Sequence, residues 1–135
     1  GVIPDSPREE LLTALFEIRK PSDNELMGYL SDSRRDVRDV AEKHLVSRIN
    51  DDMILREKLI SATNKELVDP IYLSRVIKDN TVFTPPQIES ICEMINHDNS
   101  KVRYAALNVL HGKYVSNDIL KKWLEVATKD TNDEI

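Results

Sequence analysis

The chain has 135 residues, a net charge of −5, 32% charged side chains and only 5% aromatics. That length supports one domain with a core independent of disulfides or metals, and Leu, Ile and Val recur too often for a disordered chain. Three glycines are too few for a turn-rich β-sandwich, one cysteine rules out an intrachain disulfide, and no apolar run nears the ~18 residues of a membrane span.

Helix starts are well punctuated. Ser6-Pro7-Arg8-Glu9 combines an N-cap, Pro at the first helical position and Glu at the third. Leu11, Leu12, Leu15, Phe16 and Ile18 then mark the expected buried side, and Pro21 ends the helix. Ser22-Asp23-Asn24-Glu25 repeats the capping pattern before Leu26, Met27, Tyr29 and Leu30. A third helix is expected from about Asp36 to Ile49, with Val37, Val40, Ala41, Leu45 and Ile49 at core spacing. Asn50-Asp51-Asp52 restarts the chain into a fourth helix carrying Leu55, Leu59 and Ile60, and Asp69-Pro70 opens a fifth with Ile71, Leu73, Val76 and Ile77. Thr84-Pro85-Pro86-Gln87 opens a sixth with Ile88, Ile91, Cys92 and Ile95. The seventh holds Val102 and closes at Gly112, a C-terminal cap. The eighth starts at Ser116 or Asn117 with Ile119, Leu120, Trp123, Leu124 and Ala127 on its apolar face, and residues 128–135 form a polar, frayed tail. Short linkers between these helices favour antiparallel neighbours.

A repeat runs through this helical chain. At a fixed offset of 65 residues, Val37 falls on Val102, Arg38 on Arg103, Ala41 on Ala106 and Leu45 on Leu110. That offset is about twice the length of a helix pair, with a degenerate pair between Asp51 and Asp79. Each pair leaves an apolar face open, so stacked pairs in one domain, residues 1–135, bury it naturally. A compact irregular bundle with a coincidental repeat is the alternative.

Most candidate chemistry has a plainer reading. Cys92 lies among Ile88, Ile91 and Ile95, a core setting without the electropositive access of a reactive thiolate. His44, His97 and His111 lack zinc-type spacing. Glu89, Glu93 and His97 stand at four-residue steps and could share a helical face suited to a divalent ion, but a solvated face has the same pattern. Arg34, Arg35, Arg38, Lys43 and Arg48 form a basic segment, as do Lys121 and Lys122. Asp36, Asp39 and Glu42 dilute the first segment, and no aromatic stacking platform accompanies it. The acidic balance also argues against a dedicated nucleic-acid binder. No catalytic residue, metal or cofactor is expected.

With its turn Asp, Val-Arg, small residues and Leu, the stretch containing Asp98, Val102, Arg103, Ala105, Ala106 and Leu110 resembles HEAT repeats. Asp32, Val37, Arg38, Ala41 and Leu45 match less fully, because Asp32 lies one residue further from its Val. In the middle pair, Asp69-Pro70-Ile71-Tyr72 replaces the Val-Arg signature. The resemblance implies an all-α, right-handed α-α superhelix of about eight helices, with each repeat Arg reaching an acid in an adjacent turn. It also implies a scaffold or adaptor that binds another protein along its second helices. The outward positions on those helices are Asp39, Lys43, Tyr104, Asn108 and His111, which are equally readable as ordinary solvated residues. A small acidic inhibitor of a toxin or nuclease, and a HEAT-like nucleic-acid-binding or DNA-repair domain, are the competing readings. A cytoplasmic location is expected; a chain beginning Gly1-Val2-Ile3 fits a processed product or part of a longer protein.

Overall fold

The computed structural model describes residues 7–78, 80–110 and 121. Among them every regular element is helical: α1 (Pro7–Ile18), α2 (Asp23–Tyr29), α3 (Arg35–Ile49), α4 (Met53–Asn64), α5 (Ile71–Val76), α6 (Pro85–Glu93) and α7 (Ser100–Leu110), with a single 3-10 turn at Met94–Asn96. The expected eighth helix, the Gly112 cap, the Ser6 cap and the polar tail lie outside the described residues. No described helix is long and apolar enough to cross a membrane.

The helices pack in two series. α1, α3, α5 and α7 touch in that order, as do α2, α4 and α6, while α2 meets α3, α4 meets α5 and α6 meets α7. One continuous core runs between the series, including Leu26, Leu45, Leu55, Leu59, Leu73, Ile91, Ile95 and Val102, all fully buried. Side chains of this size contribute roughly 1.5–3 kcal/mol each on burial.

Local chemistry sets the helix starts. Ser22 and Thr84 form capping boxes with Glu25 and Gln87; the Asp52 carboxylate accepts from the Leu55 N–H at 3.0 Å, and that of Asp69 from the Ile71 N–H at 3.0 Å. Each satisfies amides that the first helical turn leaves without an intrahelical acceptor. α4 ends differently. Glu66 has φ of 59°, the Leu67 N–H reaches the Ala62 carbonyl and the Glu66 N–H the Thr63 carbonyl. This is a Schellman closure with Glu in the left-handed position usually held by Gly.

Helix α1 departs from expectation. Phe16 is buried and Leu12 partly so, but Leu11, Leu15 and Ile18 are 61%, 49% and 83% exposed. The hydrophobic period correctly marks an apolar helix, yet α1 has a described neighbour on one side only. Phe16 faces that side, with its ring 5.3 Å from Tyr29 and edge-on to His44 at 5.7 Å.

The repeat arginines also find unexpected partners. Arg38 Nη1 donates to the Asp32 carbonyl at 2.7 Å, and Arg103 Nη1 donates to those of His97 and Asp98 at 2.6 and 3.0 Å. Asp32 and His97 are themselves 65 residues apart, so the same lock closes both turns. Arg56, likewise the fourth residue of its helix, donates to the carbonyls of Ile49 and Asn50, both at 3.1 Å. A guanidinium at this depth satisfies carbonyls left open where the preceding helix ends, a need that a carboxylate partner would not meet.

Turn-to-turn hydrogen bonds line both edges. On one, Ser31 Oγ donates to the Leu67 carbonyl at 2.8 Å, and Asn99 Nδ2 to the Glu66 carboxylate at 2.7 Å. On the other, Arg48 donates to the Pro21 carbonyl at 3.1 Å and pairs with Asp23 at 2.7 Å. Asn50 there donates to the Val76 carbonyl and accepts from the Lys78 N–H and the Thr81 hydroxyl. Gln87 completes that edge by donating to the Met53 carbonyl at 2.9 Å.

Candidate functional site

The candidate surface is built on α3, α5 and α7. Counting from each first residue, the third and sixth positions are buried in all three: Val37 and Val40, Leu73 and Val76, Val102 and Ala105. The fifth positions are then Asp39, Arg75 and Tyr104. Asp39 is half-buried, Arg75 is exposed and Tyr104 is 40% exposed. Lys43 and Asn108 follow one turn later on α3 and α7, both exposed. His111 lies outside the described residues.

Because α5 packs on both α3 and α7, Arg75 stands on the helix between the two expected pairs. The sequence reading missed it because α5 lacks the Val-Arg signature, although the Leu73/Val76 spacing carried the register. Arg75 pairs with Glu42 of α3 at 2.9 Å, and Asp39 lies 3.7 Å from Arg35. Tyr72 is buried beneath this stretch, and burial together with the Glu42 carboxylate pushes its phenol upward. The surface thus offers a phenol rim, a carboxylate, cations and an amide.

The basic segment is largely neutralised from within. Arg34 makes two hydrogen bonds to the Asp32 carboxylate at 3.0 Å each, holding that acid's pKa down to about 2. Arg35 faces Asp39, Arg38 is turned into its turn, and Arg48 pairs with Asp23. Lys121 is exposed and Lys122 lies outside the described residues.

His97 does not continue the face of Glu89 and Glu93, because α6 ends at Glu93 and the 3-10 turn redirects the chain. Its Nδ1 accepts from the Asn99 N–H at 3.0 Å, which leaves Nε2 to carry the proton donated to the Asn64 carbonyl at 2.8 Å. Among the described residues no three His, Cys, Asp or Glu side chains are grouped to hold a metal. Cys92 is buried in the core, and burial followed by the Glu89 and Glu93 charges pushes its thiol upward, away from the reactive thiolate.

His44, at the seam of α1 and α3, is a titrating structural group. Burial lowers its pKa from 6.5, and the nearby Arg48 and Lys20 charges lower it further. The unfolded chain therefore binds the proton more readily, so this contribution is complete above 6.5 and is lost as pH falls toward the depressed value. The urea midpoint is expected to drop between about pH 7.5 and pH 5.5, and His44→Gln is expected to flatten that part of the profile. An unchanged slope in the variant would assign the pH dependence elsewhere.

No family model, curated protein or solved structure matches the chain.

Proposed function

We propose that the chain is a non-enzymatic, HEAT-like protein-interaction module, a right-handed superhelix that presents the helices α3, α5 and α7 to another protein. The supporting observation is the arginine-to-turn lock repeated at one offset, Arg38 on Asp32 and Arg103 on His97, within helices that pack in two series. Such an arrangement builds a rigid extended surface. Asp39, Lys43, Arg75, Tyr104 and Asn108 supply the contacts. Tyr104 is the anchor, because a half-exposed phenol buries a large rigid area and retains a hydrogen-bonding tip. The internal pairing of Arg34, Arg35 and Arg48 favours a protein over a nucleic-acid partner.

Affinity capture from the source cell with the wild-type chain, followed by titration of the captured partner, tests the reading. Tyr104→Ala combined with Lys43→Glu is expected to keep full helicity and weaken that partner at least about tenfold. Unchanged affinity would remove this face from consideration. Steeply salt-dependent DNA binding by the wild type would replace the protein partner with a nucleic acid.

A further inference from the structure

A second surface lies at the α1 end of the molecule. Leu11, Leu15 and Ile18 form one apolar stripe, with Ile18 the most exposed at 83%. Beside it is a groove of about 400 Å³ between α1, α2 and α3, lined by Leu12, Leu15, Phe16, Tyr29 and Pro21. The Phe16–Tyr29 ring contact stiffens its floor.

Charge is segregated around this apolar ground. At 100° per residue, Arg8 and Arg19 flank the stripe on the Leu12 side, and Glu10 and Glu17 lie on the opposite flank. Arg19 and Arg34 line the groove together with Lys20. Arg34 is held by Asp32, and Arg19 lies near enough to Glu25, the acid lining the groove and the capping partner of Ser22, to help lower its pKa; with Lys20, the groove still carries more cationic than acidic side chains. An occupant of the groove therefore meets apolar side chains beneath and cations at the rim. An anionic bilayer laid across the whole stripe would instead meet Glu10 and Glu17.

We propose that the stripe and groove of α1 dock an acidic amphipathic helix from a partner protein, separately from the α3–α5–α7 face. Its leucine-type side chains, spaced i, i+4 and i+7, enter over Leu15 and Phe16, and its carboxylates face Arg19 and Lys20. The mode is helix-in-groove recognition, with the charges setting orientation and salt sensitivity.

The test uses fluorescently labelled peptides of about 14 residues with Leu at that spacing. One has Glu at the flanking positions, a second has Lys there, and a third scrambles the acidic sequence. Anisotropy with the intact chain is expected to show binding of the acidic peptide, at least about tenfold weaker binding of the other two, and weakening by salt. Arg19→Glu with Lys20→Glu is expected to reverse the preference toward the Lys peptide. Ile18→Asp is expected to abolish binding of both, and because Ile18 is exposed its circular dichroism should be unchanged. Equal binding of scrambled and patterned peptides would overturn the proposal, as would absence of binding by the acidic peptide. So would capture on phosphatidylserine vesicles that depends on Ile18, or a dimer of the free chain that Ile18→Asp dissolves. The Tyr104→Ala and Lys43→Glu changes leave this assay unmoved, so failure of one surface is distinguishable from failure of the other.

Discussion

Arg103→Ala is expected to destabilise the fold by about 3–5 kcal/mol, several times the cost of Arg38→Ala at about 1–2 kcal/mol. The two arginines occupy the same repeat position but not the same environment. Arg103 is 2% exposed and donates to two turn carbonyls, whereas Arg38 is half-buried and donates to one. Truncating Arg103 leaves a cavity the length of its side chain and withdraws the donor from the carbonyls of His97 and Asp98. At Arg38, water can reach the Asp32 carbonyl and replace the lost bond. Urea midpoints for the two variants, with an unchanged m-value as the sign that both remain two-state, decide the matter. Equal losses would mean that repeat position rather than burial governs the lock. Arg103→Lys is expected to recover only part of the loss, since a single ammonium lacks the planar fork.

Asn50→Ala is expected to cost about 2–4 kcal/mol, with the damage concentrated in the segment after α5. The Asn50 amide ties the α3–α4 corner to the Val76 carbonyl, the Lys78 N–H and the Thr81 hydroxyl. Thr81 is itself 8% exposed, so solvent replaces its lost partner poorly. Amide exchange reads this directly. The Lys78 amide should lose most of its protection in the variant, while amides in the middle of α3 should fall only by the global loss. A uniform decrease across the chain would assign Asn50 a purely global role. Asn50→Asp keeps an acceptor oxygen for the Lys78 N–H and the Thr81 hydroxyl and loses the donor to Val76, so it separates the two sides of the amide's work.

Much of the helical order was legible because capping chemistry is local. Ser22, Asp52, Asp69 and Thr84 each accept from an amide two or three residues ahead, and the helices begin where those residues stand. The repeat register was legible for a related reason: α3 and α7 start at Arg35 and Ser100, on the same offset as their buried Val, Ala and Leu. Non-local facts were harder to read. An apolar period cannot tell whether a neighbour covers the stripe, so Leu11, Leu15 and Ile18 read as core. The partners of Arg38 and Arg103 are main-chain carbonyls, which every residue carries, so no sequence letter advertises them. The offset does, in retrospect, align Asp32 with His97 rather than with Asp98. Those two unlike residues perform one task, each accepting from the N–H two positions on. At the candidate surface, the exposure of Lys43, Tyr104 and Asn108 followed from spacing, whereas Arg75 required the register of a helix without the signature.

The serial packing has a kinetic consequence. Every substantial helix contact among the described residues joins helices adjacent or next-adjacent along the chain. Among the described residues no strand waits for a distant partner, so their contact order is low and the loops closed between them are short. Folding can therefore begin from contacts between helices that are close along the chain. The Glu66 closure, with its left-handed backbone, lies between α4 and α5, so the corner that joins the earlier and later helices is made by one local turn rather than by distant contacts.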